Sequence, residues 1–499
     1  MPSSRPVALF CILALAAAPA RAQSSGPDAD AVKAGVMQVL SLATFGLIPV
    51  QDLQAAVTQD GPDYRMRLPL TGLAAPTDAA ITAVARPLRY GKVDIESMAF
   101  PSNGTLQTTV ATGAANRIEY SVGKQVISAM VDPTLATEST YTAEFGDVRL
   151  VTAQGEQHGE QTIDHLATDG TFSAGPDGRL TFVTQSQATG FHLVGHGPNG
   201  FMSDTSVRAM AGHFSVENLD RAQGTRMLAA LRGLMAADAQ ARAQRAEAPP
   251  GQVPAGEVPP APGATPEQRR QLGAVVDAAG GLLSRVEVDE TMEDVHFAVG
   301  GARGNGAGTI SSVRLTMAGD AAQERLNTRL GIVADGIAVP GAAAGTVELI
   351  PHHVDLKTVL AGVPVAKLMA LLRAAPEDHA DPVLLQAQAR ALFADPQARV
   401  EIETLSFDAG PLAVTGSAKL RPRANGDFGG DIHIAARGVD ALLAQVQGQP
   451  KLQQAMPLIF LAKGMGRAQG DSLVWDIVVG DGPLTINGTP FGQPAGKTR

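Results

Sequence analysis

Alternating apolar and polar residues, cut by turn dipeptides, recur along this chain and predict antiparallel hairpins. Asp60-Gly61-Pro62 separates Leu53–Thr58 from Tyr64–Leu70, and Asp177-Gly178 separates Thr171–Ser173 from Leu180–Thr184. Asn425-Gly426 stands between Ala418–Arg423 and Phe428–Ala435, and Asp481-Gly482 between Leu473–Val479 and Leu484–Asn487. Helical spacing is rarer. Thr265, Pro266 and Gln268 form a capping box, and behind it Leu272, Val275, Val276, Ala279, Leu282 and Leu283 share one face. Further helices are predicted from Asp28 to Leu42 and from Asp381-Pro382 through Leu392.

A strand, a short connection and a helix recur three times. His213–Val216 leads to Met227, Leu228, Leu231 and Leu234; Thr346–Ile350 and Val354–Leu356 lead to Val365, Leu368, Met369 and Leu372. Asp431–Ala435 leads to Val439, Leu442, Leu443 and Val446. The pattern predicts an α+β class, strand-rich, with mostly antiparallel curved sheets, a few amphipathic helices and two similar halves. Pro249-Pro250, Pro254, Pro259-Pro260 and Pro262 crowd a stretch almost without large apolar residues, which marks a linker. The expected organisation is a signal segment 1–22, a first domain 23–236, a linker 237–264, a second domain 265–491 and a tail 492–499.

The start changes the chemistry. Arg5 precedes an uncharged apolar run, Val7 to Ala18, and Ala20-Arg21-Ala22 has the small-x-small form of a signal peptidase site. Cleavage after Ala22 predicts export to the periplasm or beyond. It removes the only cysteine, Cys11, and with it any disulfide, thiolate metal site or cysteine nucleophile. It also leaves no transmembrane anchor, since no later apolar run reaches about 20 residues. The net charge of −10, more negative once Arg5 and Arg21 leave, argues against nucleic acid as a partner. Aromatics are only 4% of residues, so the cores and any binding surface are aliphatic.

Catalytic motifs fail on spacing. Gly492 to Thr498 has three residues between its glycines where a phosphate loop needs four, and no helix follows. Ser121-Val-Gly-Lys124 has acyl-enzyme spacing, but Ile118, Tyr120 and Val122 alternate as a strand, which turns the two side chains to opposite faces. His192 and His196 are about 13 Å apart along a strand, too far to share an ion. His158 and His165 lie in polar strand sequence with no acid at metal spacing. Glu401/Glu403 and Glu287/Asp289/Glu290 read as a solvated sheet face rather than a glycosidase pair, which also needs aromatic platforms. His352, His353 and Asp355 remain the weak metal candidates, beside the blander reading of a wet strand end. No catalytic residue, cofactor site or assigned metal site emerges.

Leu349-Ile-Pro351 followed by Leu360-Ala-Gly-Val-Pro364 and an amphipathic helix, the strand leading to Gly438-Val-Asp-Ala-Leu-Leu443, and Asp481-Gly-Pro-Leu-Thr-Ile-Asn-Gly488 give the second half a particular layout. It resembles bacterial cell-envelope proteins of unknown function grouped loosely with the AsmA-like families. The resemblance implies an envelope role and no catalytic motif. Many such proteins keep an N-terminal anchor. The expectation is therefore a non-catalytic periplasmic protein that contacts lipid, another apolar ligand or an envelope protein through a sheet surface. The alternatives are a secreted hydrolase assembled from distant residues, or a structural and assembly partner.

Overall fold

The computed structural model describes residues 27–43, 55–69, 80–109, 115–134, 137–154, 157–175, 177–197, 200–220, parts of 223–237, 265–279, 285–301, 304–321, 324–340, 350–374, 392, 395–423, 427–447, 456–480 and 482–491. The signal segment, the tail, the linker except Ala237, the helix expected up to Leu392 except that residue, and the strand expected over Thr346–Ile350 except Ile350 lie outside them. Strands dominate and pair antiparallel throughout. Two compact units divide the chain: residues 1–202 with 213–283, and residues 203–212 with 284–499.

The first unit opens with helix α1 (Pro27–Ala43), as the spacing predicts, with Asp28 and Asp30 at its positive end. Ala29, Val32, Val36, Val39 and Leu40 recur every three or four residues and are all buried. They pack on strands β1 (Ala56–Asp60), β2 (Asp63–Pro69), β3 (Ala80–Pro87) and β4 (Val93–Ala99) around Leu68, Ile81, Val93 and Ile95. Gly35 lets the helix come down on Val93: a Cβ there would stand 3.1 Å from the valine Cβ. The first hairpin closes Asp60 on Asp63 through Gly61-Pro62, with Gly61 at φ 63, the two-residue turn that a leading glycine favours.

Beyond this core the strands lengthen to several times the usual five or six residues. Strands β5 (Asn103–Thr109), β6 (Ala115–Val131), β7 (Ser139–Gln154), β8 (Gln157–Ala174) and β9 (Leu180–His196) follow, then β10 (Met202–Leu219). Strand β6 is long enough to take two partners on one side, β5 along its first half and β4 along its end. The Gln125 amide bridges the gap between them, donating to the Phe100 carbonyl at 2.7 Å and accepting from its N–H at 2.9 Å. Asp177-Gly178 lies in the β8–β9 loop as expected, with Gly178 at φ 74.

One row interrupts the β6–β9 ladder. Register puts Gly123, Asp147, Asp164 and Gly190 side by side, and none of the four enters a ladder pair. Asp147 (φ 51) and Gly190 (φ 65) take left-handed backbone conformations, and the Asp164 carboxylate fills the space a side chain at Gly190 would need. The second unit repeats this device with Asp294 (φ 50) beside Ser311, whose hydroxyl sits against Gly336 (φ 65).

Helix α2 (Pro266–Ala279) falls in the first unit. Its predicted capping box is present: the Thr265 N–H donates to Gln268 Oε1 at 2.7 Å, and the Gln268 N–H to Thr265 Oγ1 at 3.2 Å.

In the second unit β11 (Arg285–Gly300), β12 (Gly306–Asp320), β13 (Arg325–Asp335), β14 (His353–Pro364), β15 (Arg399–Ala409), β16 (Leu412–Pro422) and β17 (Phe428–Arg437) pair in chain order. Helix α3 (Val365–Ala374) leaves β14 and α4 (Val439–Gln447) leaves β17, both where helical spacing places them. Helix α5 (Met456–Met465) has no amphipathic signature and is not legible as a helix in the pattern. Strand β19 (Ser472–Val479) continues the ladder from β17 and carries β18 (Arg467–Gln469) and β20 (Leu484–Ile486) on its other side. Strand β21 (Thr489–Phe491) pairs with β20 through Asn487-Gly488 and is the outermost described strand.

Candidate functional site: an apolar sheet face

Alternation in β11 to β19 sends every second residue to one face, and register aligns these residues in rows. One row runs Met292, Val313, Ala334, Val354, Phe407, Val414, Ala436, Leu473, apolar at all eight strands. The next is Glu290, Leu315, Ile332, Leu356, Leu405, Gly416, Ile434, Trp475. A third is Val288, Met317, Leu330, Thr358, Ile402, Ala418, Ile432, Ile477. Seven strand spacings of about 4.8 Å and two residue pairs of about 6.8 Å give a surface of roughly 34 by 14 Å.

Only the alanines of these rows are buried; the large side chains are half-buried or exposed. Leu330 (47%), Ile332 (44%) and Met317 (40%) are the most open, grouped on β12 and β13. At the other end Trp475 is tied to α5, its Nε1 donating to the Ala462 carbonyl at 2.8 Å. An open apolar surface of this extent matches the largest patches that monomeric proteins expose, and such patches mark binding sites.

The opposite face carries charge. Arg314 is bidentate on Asp289, at 2.9 and 2.6 Å, and Arg285 pairs with Glu287. Arg329 reaches Glu403 at 3.2 Å and Arg399 reaches Glu401 at 2.9 Å. Glu287, Asp289, Glu401 and Glu403 are thus each matched to an arginine, as a solvated sheet face predicts, while Glu290 lies opposite Leu315 on the apolar side. Ser121 and Lys124 sit in β6, and the lysine bonds Glu144 at 2.7 Å.

Histidines find partners that strand spacing alone does not reveal. His165, which has no acid at metal spacing along its own strand, bonds Glu144 at 3.0 Å from the neighbouring strand. The bonds from Lys124 and His165 hold the Glu144 carboxyl below its ordinary range. His353 bonds Asp335 at 2.6 Å and Asp355 accepts from Lys357 at 3.1 Å, so these candidates are engaged separately. His352 contributes main-chain bonds to Asp408 and Ile337. Among the described residues no group of three or more histidines, cysteines or acids is arranged to hold a metal ion.

Ser417, His433 and Asp476 occupy one row across β16, β17 and β19. They border a shallow depression of about 260 Å³ with Lys419 and Asp431. His433 bonds Asp476 at 2.7 Å, and Arg467 takes the other carboxylate oxygen at 2.8 Å. The order suits a serine hydrolase, but β17 is paired on both sides. Its ladder amides are committed, which leaves no preorganised oxyanion donors from that strand.

Asp132 is buried, which opposes its charge, yet its folded pKa is lowered. Thr134 donates N–H and hydroxyl to one oxygen at 2.9 and 2.6 Å, and Thr137 does the same to the other at 2.8 and 2.9 Å. This carboxylate organises the β6–β7 connection. None of the described helices is long and apolar enough to cross a membrane. No protein-family model, curated protein or solved structure matches the chain.

Proposed function

We propose that this chain is a non-catalytic periplasmic protein of the cell envelope that holds a lipid, or another ligand with a long hydrocarbon part, on the apolar face of its second sheet. The observation that carries this reading is the set of apolar rows whose large side chains stay partly open, centred on Met317, Leu330 and Ile332. Covering each further CH₂ on such a surface contributes about 0.8 kcal/mol.

The chemistry of the face favours hydrocarbon over peptide. The inner strands have their backbone groups paired on both sides, so an extended peptide lying across them would find no partners for its own N–H and C=O groups. Hydrocarbon has none to satisfy. Apart from Glu290, Thr358 and Gly416 the rows are apolar, with Phe407 and Trp475 their only aromatic members, whereas protein-binding hot spots concentrate Trp, Tyr and Arg. Export through cleavage after Ala22 and a place beside the AsmA-like envelope proteins belong to the same reading. So do curved sheets in two similar halves, supported by the repeated Asp147–Asp164–Gly190 and Asp294–Ser311–Gly336 rows.

Native mass spectrometry of the full chain purified from the periplasm tests the proposal, with the double variant Leu330→Asp/Ile332→Asp alongside. Adducts of phospholipid mass that disappear in the variant, with its circular dichroism unchanged, are the expected result. A bare wild-type chain, or adducts retained in the variant, overturns it. A co-purified envelope protein in place of lipid makes the face a protein interface.

A further inference from the structure

We propose that His158 and His196 form a two-imidazole site for a late first-row divalent cation, at the far end of the β8–β9 ladder. The two are direct register partners, and their rings stack with centroids 4.5 Å apart and planes 23° from parallel. Nitrogens sharing one ion at about 2.0–2.1 Å bond length stand roughly 3 Å apart. Rings already face to face on adjacent strands reach that separation by small rotations about their side-chain bonds, without moving the backbone. The ladder has done the positioning.

The surroundings suit a cation. Glu160 follows His158 by two residues, so it shares the same face. Its carboxylate is held in place by Arg149, whose Nε donates to Oε1 at 2.6 Å. His196 is half-buried and His158 exposed, so solvent can complete the coordination shell. His192 lies four residues from His196, about 13 Å along the strand, beyond the reach of the same ion. Imidazole donors select Cu²⁺, Zn²⁺ or Ni²⁺ over Mg²⁺ or Ca²⁺, with Cu²⁺ bound most tightly in the divalent series. The proposal is independent of the apolar face.

The test is calorimetric titration of the full chain, without a histidine tag, with CuCl₂ and separately with ZnCl₂. The expected result is one ion per chain, with His158→Ala and His196→Ala each weakening binding on the order of tenfold or more. His192→Ala binds as wild type. Visible absorption of the Cu²⁺ form reports nitrogen coordination, and circular dichroism confirms that each variant folds. Unchanged affinity in either His158→Ala or His196→Ala overturns the site, as does equal loss in His192→Ala or no binding by the wild-type chain.

Discussion

Leu330 stands directly opposite Met317 across β12 and β13, and both keep at least 40% of their surface open to solvent. A cross-strand pair of this kind normally gains its stability from a covering layer. Here the side chains have little burial to lose. Leu330→Ser is therefore expected to change unfolding free energy by only about 0.5 kcal/mol, as a surface substitution does. The same change lowers the fluorescence of a bound apolar dye. Chemical denaturation and dye titration on one sample separate the two effects. A loss of several kcal/mol would mean that the face is covered.

The contrast is the packing of α1 on the first sheet. Gly35 sits over fully buried Val93, and an added Cβ meets all three valine side-chain carbons at 3.1–3.3 Å. Val93 has no room to yield. Gly35→Val is expected to destabilise by about 1–3 kcal/mol through overpacking. Leu68→Ala, on the same core, costs about 2–5 kcal/mol by leaving a cavity. Thermal denaturation of the two variants checks both magnitudes.

Asp132 gives the connection after β6 a pH dependence with a defined sign. Its folded pKa is lowered, so the unfolded chain takes up the proton first as pH falls. The stabilisation is complete above the ordinary aspartate value of about 3.9 and is lost as pH drops from there through the lower folded value. Asp132→Asn removes that dependence and costs roughly 2–3 kcal/mol at neutral pH, since an amide cannot accept all four threonine donors. Urea titrations of both proteins at pH 7 and pH 3 give the comparison: the gap between them narrows in acid.

Asn487 fastens the last hairpin. Its Oδ1 accepts from the Asp476 N–H at 2.9 Å, and its Nδ2 donates to Met465 at 2.8 Å and Val474 at 3.0 Å. Asn487→Ala leaves these main-chain groups to water. The expected outcome is faster amide exchange in β20, β21 and the end of α5, with β6 to β9 unaffected. Hydrogen exchange read by mass spectrometry resolves these segments. Uniform change across the chain, or none, counts against the clasp.

What the sequence announces is local, and its limits are equally physical. Turn chemistry at Asp60-Gly61 and Asp177-Gly178, the Thr265–Gln268 cap and the spacing of α1, α3 and α4 are written in adjacent residues, so each is legible. The tight turn at Asn487-Gly488, with φ 51 and 79, has the same kind of signal but lies inside strands of only three residues, too short to show alternation. Helix α5 hides for another reason. Its apolar residues run around the helix, and Leu458 is 70% exposed, so no periodicity separates it from a strand. The site is hardest of all. Register, not spacing, unites Met317 with Leu330, His165 with Glu144 and His158 with His196, across 12, 20 or 37 intervening residues.

Strand β21 contains only Thr489, Pro490 and Phe491, and a proline cannot donate a ladder hydrogen bond. A ladder of many paired strands is a template on which further chains can polymerise if its last edge stays receptive. Pro490 makes that edge a poor template. Replacing it with valine restores an amide and a β-former at the margin, and the cost would then appear not in the folding of one molecule but in the fibrillar growth of many.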